Sequence, residues 1–333
     1  MITPTCVSAQ PDSWQAELAR AISDPAQLLD ALQLPRHLLA PAQAAARQFP
    51  LRVPHHYLGL IEPGNPRDPL LRQVLPLGEE LIDTPGFVAD PVGDKAAELG
   101  AGLLQKYHGR ALVVTTGACA IHCRYCFRRH FPYAEQAAIR HWERIPQQLQ
   151  TLPGVREVIL SGGDPLTLSD QRLEQLIRQL DRIPHLQRLR IHTRLPSVLP
   201  SRITQQLVDL LGSTRLAGSL VLHCNHPREL APPLGTALDK LRRAGVTLMN
   251  QSVLLRGVND SVDALQGLSE QLYTLGVLPY YLHVLDPVAG SAHFDVPEQR
   301  ARQLHRQLRN LLPGYLVPQL VREIAGRESK TPL

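Results

Sequence analysis

The chain has 333 residues, 44% hydrophobic and 20% charged, a balance that fits a globular protein with a sizeable core and excludes disordered and collagen-like classes. Lys and Arg number 35 against 30 Asp and Glu, a net charge of +5. They are scattered and form no dense run that could track a phosphate backbone, so no direct nucleic-acid partner is expected. Of the five cysteines, Cys119, Cys123 and Cys126 are clustered while Cys6 and Cys224 stand alone. That odd, uneven set argues against a disulfide framework and for a reducing compartment. No apolar run reaches a membrane span and no secretory layout opens the chain, so the expected location is cytoplasmic, with no membrane partner.

Residues 1–100 read as a helical and irregular N-terminal extension. Trp14, Leu18 and Ile22 recur at helical spacing, Leu28, Leu29 and Leu32 follow, and Pro35 interrupts. Between Phe49-Pro50 and Pro85-Gly86 the prolines are dense, including Val53-Pro54, Asn65-Pro66 and Asp68-Pro69, which predicts turns wrapping the surface.

Residues 101–333 read as one α/β domain. Short apolar or β-branched runs fall at 111–115, 157–160, 189–193, 219–223, 247–253 and 278–284, roughly 30 residues apart, the length of a strand, a helix and a return loop. The spacers place apolar residues on one helical face: Leu173, Leu176, Ile177 and Leu180; Ile203, Leu207, Leu210 and Leu211; Leu234, Leu238 and Leu241; Leu265, Leu268, Leu272 and Leu275. Gly245 and Gly276 stand where two of these helices should stop. Six such units imply a parallel sheet covered by helices, either an open doubly wound sheet or a partial barrel. A last helical pattern, Leu304 to Leu312, precedes the apolar run Leu316 to Val321 and the tail Glu328-Ser329-Lys330-Thr331-Pro332-Leu333.

The chemistry concentrates after the first of these strands, in Cys119-Ala-Ile-His-Cys123-Arg-Tyr-Cys126. Three thiolates at this spacing fit an iron-sulfur cluster, and a four-iron cluster on three cysteines leaves one iron open for chemistry. The alternatives are a zinc site completed by His122 or His130, or buried structural cysteines; a second ligand pair at zinc-like distance is not visible in the sequence. After the second strand comes Ser161-Gly162-Gly163-Asp164, where glycines let backbone approach a ligand and an acid can offset an ammonium.

The CxxxCxxC spacing with Tyr125 before the last cysteine resembles the radical S-adenosylmethionine superfamily, whose fold is a partial (β/α)6 barrel. That resemblance implies a [4Fe-4S] cluster on Cys119, Cys123 and Cys126, with S-adenosylmethionine on the open iron, an external electron donor, and Tyr125, Ser161, Gly162, Gly163, Asp164 and His223 as cofactor contacts. A narrower resemblance, to the lysine 2,3-aminomutase family, is carried by Phe49-Pro-Leu-Arg-Val, Asp68-Pro-Leu-Leu-Arg-Gln, Cys126-Phe-Arg-Arg, Thr193-Arg-Leu-Pro, Asn250-Gln-Ser-Val-Leu-Leu-Arg-Gly-Val-Asn-Asp and Pro279-Tyr-Tyr.

That family adds pyridoxal 5′-phosphate. It implies Lys330 as the cofactor lysine, in a tail folding back to the barrel mouth, although the family's surrounding glycines are mostly missing here. It also implies Tyr107, Arg110, Asn250 and Gln251 near the cofactors. The substrate is then L-lysine, with Arg128 on its carboxylate and Asp286 and Glu323 on its ε-ammonium. Glu323 stands where the family has an aspartate. Lys95, Lys106 and Lys240 are expected in surface helices or loops. In the Glu-Ser-Lys-Thr-Pro-Leu tail the chain is similar to bacterial members that make (R)-β-lysine for elongation factor P. A catabolic enzyme releasing free β-lysine, a radical enzyme without pyridoxal phosphate and a non-enzymatic zinc or nucleic-acid-binding protein are the competing expectations.

Overall fold

The computed structural model describes residues 13–133 and 142–333; Cys6 lies outside them. A short antiparallel edge, β1 (Glu98–Gly100) and β2 (Leu103–Leu104), leads into six parallel strands: β3 (Arg110–Thr116), β4 (Glu157–Gly162), β5 (Arg188–Thr193), β6 (Ala217–Leu222), β7 (Thr247–Val253) and β8 (Leu278–His283). The strands follow chain order across the sheet, so each strand-helix unit lays its strand beside the previous one. The fold is the partial barrel of the radical type.

The helical faces fold as their spacing predicts. In Asp170–Asp181 the residues Leu173, Leu176, Ile177 and Leu180 are buried, and the Ser169 hydroxyl accepts from Arg172 N at the N-cap. Gly245 and Gly276 take φ of +83° and +74°, closing the helices Pro232–Arg243 and Val262–Thr274.

Two features go beyond the six-unit expectation. The run near residue 320 forms a seventh parallel strand, β9 (Gln319–Arg322), paired to β8 through Tyr281↔Gln319 and His283↔Val321. The tail then turns back as β10 (Thr331–Pro332), antiparallel to β9, with Thr331 opposite Arg322.

The Pro-rich segment is not confined to the surface. Leu70, Leu71 and Val74 have no exposed area, and one continuous apolar core runs from Trp14 to Val277. Backbone bridges Ile22↔Val53 and Val88↔Val288 tie the segment to the helical start and to the loop after β8. Its prolines limit regular structure, and its apolar side chains still pack inward because burial outweighs the missing ladder bonds.

Candidate active site

Alternation along the strands aims one set of side chains into the barrel: Leu112, Ile159 and Ser161, Arg190 and His192, Gln251 and Val253, Tyr281 and His283. They line a cavity of about 250 Å³. Cys119, Cys123 and Cys126, on the loop after β3, line it too, as do Asp286, Glu323 and Lys330.

The N-terminal segment holds the cysteine loop in place. Arg124 has no exposed area and grips Glu80 with two bonds, Nε to Oε1 at 2.8 Å and Nη2 to Oε2 at 2.6 Å, while its Nη1 donates to Phe49 O at 2.8 Å. Arg129 Nη2 donates to the same carboxylate at 2.7 Å. The loop backbone adds His122 N to Arg52 O at 3.1 Å and Arg124 N to Gln73 O at 2.9 Å. On the other side β4 closes in: Gly163 N donates to Thr116 O at 2.7 Å and Asp164 N to Ala118 O at 2.8 Å. A Cβ on Gly163 would sit 2.3 Å from Ala118 O, so only glycine allows this approach.

Burial, with the neighbouring thiols adding to it, pushes the Cys119 thiol well up and Cys126 to about 11. A group that offsets thiolate charge is therefore needed before these side chains ionise, which a bound metal cluster does. The zinc alternative meets a geometric obstacle. His122 Nδ1 faces Pro50 O at 2.8 Å and His130 Nε2 faces Ala289 O at 3.1 Å. Among the described residues no three His, Cys, Asp or Glu side chains converge on a single-ion site. A four-iron cluster takes its thiolates on separate irons rather than on one ion, and three cysteines leave its fourth iron open.

In the returning tail, β10 brings Lys330 Nζ to Glu323 Oε2 at 2.5 Å, with the ammonium 5.7 Å from the Tyr281 ring centre. Burial would raise the Glu323 carboxyl, but Lys330 and Lys106 outweigh it and hold it down to about 2. Asp286 goes the other way: burial, reinforced by the Glu323 charge, pushes it up to about 7 against the pull of the two lysines. Arg128 Nε donates to Asp94 Oδ2 at 2.7 Å and its Nη1 to Ser161 Oγ at 3.2 Å. Arg110 lies over the Tyr107 ring at 4.5 Å, and Tyr107 reaches Glu323.

Two expectations need correction. Lys106 is no surface residue: its Nζ lies 2.6 Å from Asp94 Oδ1 and 3.1 Å from Glu323 Oε1, inside the cavity. Arg128, Asp94, Lys106, Glu323 and Lys330 thus form one unbroken chain of alternating charge. Asn250 faces the helix layer, because it lies on the other face of the β7 pleat from Gln251; its amide bonds Cys224 N at 2.9 Å, Cys224 O at 3.0 Å and Ser252 Oγ at 3.0 Å. Asp164 lines the cavity beside Gly162 and Gly163, and its carboxylate accepts from Thr193 Oγ1 at 2.7 Å, Arg194 N at 2.8 Å and Leu195 N at 3.0 Å. It ties the turn after β5 to the turn after β4, and the glycines beside it remain open to the cavity.

His223 and Gln251 do line the cavity, His223 Nε2 lying 2.9 Å from Gln251 Nε2. Sequence reasoning missed Asp94, Arg190, His192, Arg194 and His283. Buried orphan atoms mark several of them: His192 Nε2, His283 Nε2 and Arg190 Nε have no partner. Buried polar atoms are almost always paired, so unpaired donors around Lys330 fit an anionic, hydrogen-bonding cofactor such as pyridoxal phosphate.

The Radical SAM superfamily model matches residues 113–220, a span that holds all three cysteines and Ser161 to Asp164. The chain is 49% identical to the L-lysine 2,3-aminomutase of Escherichia coli strain K12 over 97% of its own length and 94% of that protein. The chain belongs to the L-lysine 2,3-aminomutase family. A second member, from Haemophilus influenzae, is 47% identical over 98% of this chain and 96% of its own. Among solved structures, a radical SAM methyltransferase from Sphaerobacter thermophilus is 17% identical, with a TM-score of 0.48 over 66% of this chain and 68% of that one. Family membership makes the protein a radical isomerase, and none of its described helices is long and apolar enough to cross a membrane.

Proposed function

We propose that the protein moves the α-amino group of L-lysine to its β-carbon, working in the cytoplasm with an external electron donor. One observation carries this reading: β10 pins Lys330 into the same cavity that the three cysteines line. When bound, the cluster and S-adenosylmethionine supply a carbon radical that takes hydrogen from the substrate, and pyridoxal phosphate on Lys330 supplies delocalisation for the unpaired electron.

The side chains divide the remaining work. Cys119, Cys123 and Cys126 hold the cluster, and Gly162 and Gly163 let S-adenosylmethionine approach backbone. Tyr125, Gln251 and His223 line its side of the cavity. Around Lys330, Tyr281 offers a flat ring, and Arg110, Arg190, His192 and His283 offer donors to a phosphate or ring oxygen. Arg128 holds the substrate carboxylate, since a guanidinium bonds carboxylate oxygens in pairs. Glu323 and Asp286 hold the ε-ammonium; two acids there favour lysine over substrates ending in an acid or an apolar group. The buried walls exclude water from the reacting atoms and keep them close.

The finer reading is that the product is (R)-β-lysine and serves the modification of elongation factor P. The Glu-Ser-Lys-Thr-Pro-Leu tail supports it. The test is anaerobic incubation of the iron- and sulfide-reconstituted protein with pyridoxal phosphate, L-lysine, S-adenosylmethionine and a reductant, followed by chiral separation. (R)-β-lysine is expected. Cleavage of S-adenosylmethionine without any β-lysine would contradict the substrate assignment, and the S isomer would contradict the stereochemistry.

A further inference from the structure

Beside the cysteine loop, and reaching the cavity through Tyr125, Arg194 and Asn225, lies a buried polar network to which no role in holding lysine or pyridoxal phosphate is given. Its centre is Arg194, on the turn after β5 and only 6% exposed. Arg194 Nη1 donates to Cys123 Sγ at 2.8 Å and to Tyr125 Oη at 2.7 Å. Its Nη2 meets Gln73 Oε1 at 2.7 Å, Glu229 Oε2 at 3.0 Å and Tyr57 Oη at 3.2 Å. Gln73 and Glu229 have no exposed area and bond each other, Nε2 to Oε1, at 3.1 Å. Asn225 Nδ2 completes the set, donating to Gln73 Oε1 at 3.0 Å and Tyr125 Oη at 2.6 Å.

The ion pair with Glu229 satisfies the buried charge of Arg194, and the contact with the Cys123 sulfur is additional to it. A buried guanidinium already has its charge offset by a carboxylate. Here the side chain turns its second nitrogen onto one cysteine, and among the described residues neither Cys119 nor Cys126 has a side-chain donor of this kind. Donors and cations beside a ligating sulfur stabilise the cluster state that carries the extra electron, and they fix the ligand's orientation. Glu229, one residue deeper, contributes the opposite charge.

We propose that Arg194 is a positioning residue for the cluster, holding Cys123 and raising the cluster's reduction potential, with Glu229 setting how much of the guanidinium charge the cluster feels. The potential at which the protein accepts an electron from its donor is then set partly by Gln73 and Tyr57 of the Pro-rich segment, which aim the guanidinium. This rests on the assignment of a cluster to the three cysteines, and the test separates the two claims.

The full-length protein is reconstituted anaerobically, its iron and sulfide are assayed, and its midpoint potential is read by redox titration followed by electron paramagnetic resonance. Wild-type protein without iron and sulfide would overturn the cluster assignment itself. With the cluster present, Arg194→Gln shifts the midpoint to more negative values and Arg194→Lys recovers part of the shift. Glu229→Gln, which keeps the shape and removes the offsetting charge, shifts it the other way. The opposite signs are the signature that a merely structural role lacks. If Arg194→Gln fails to fold, Glu229→Gln still decides by its sign. Midpoints equal to wild type, or shifts in one shared direction, would overturn the proposal.

Discussion

Gly163 is the residue on which the cysteine loop depends most tightly, because Ala118 O occupies the place a Cβ would take, at 2.3 Å. Gly163→Ala must push apart β4 and the loop carrying Cys119, at a cost of about 1–3 kcal/mol for such overpacking. The expected outcome is a lower iron content after reconstitution with a modest fall in thermal stability; full iron content would show that the loop can give way freely. Asp286 sets a pH dependence. Its carboxyl, pushed up to about 7 by burial and by the Glu323 and Asp94 charges against the pull of Lys330 and Lys106, is mostly neutral below that pH and mostly charged above it. An ammonium binds the charged form, so kcat/KM for lysine should rise with pH through about 7. Asp286→Asn should lose this rise and fall by about 10- to 100-fold, the range for a lost hydrogen bond to a charged group; a profile that keeps its inflection would assign it to another group.

At this scale the sequence was legible only where residues sit in a pattern. The cysteines, Ser161 to Asp164, Arg128 and Asp286 follow strand ends or share a short spacing. Asp94 and Lys106 come from separate loops and meet only in the folded chain, so nothing local marks them. Asn250 was misplaced because adjacent strand residues point to opposite faces, and the register shift between β7 and β8 falls at Asn250/Gln251.

Among elements, one of the two shortest has the largest consequence. β10 contains two residues, yet with the bond from Leu333 N to Leu320 O at 3.0 Å it fixes Lys330 beside Glu323. Deleting Thr331 to Leu333 leaves Lys330 in place in the sequence and removes its anchor. A terminal lysine freed this way frays, so pyridoxal phosphate affinity should fall at least about tenfold, the consequence of losing roughly 1.4 kcal/mol. Unchanged affinity would mean that the pairing is dispensable. The six central strands were readable because each carries a short apolar or β-branched run and the runs recur at the pitch of one strand-helix unit. β9 was not, since its four residues follow Pro318 and no helix comes after it to complete a unit.

Across the whole molecule, the segment before the barrel acts as part of the site. Glu80 clamps Arg124 and Arg129, Asp94 holds Arg128 and Lys106, and Gln73 aims Arg194. Proline density announced irregular chain and hid this role, because buried polar contacts between distant segments carry no periodicity. The cysteine loop and the returning tail line one cavity, and on the proposed function Lys330 is the lysine expected to carry the cofactor while Lys106 stays with Asp94 and Glu323. The direct measurement is borohydride reduction of the protein loaded with pyridoxal phosphate, followed by peptide mapping of the fixed label. Label on Lys330, lost in Lys330→Ala and kept in Lys106→Ala, is the predicted result; label on Lys106 or another lysine, or none, would contradict it.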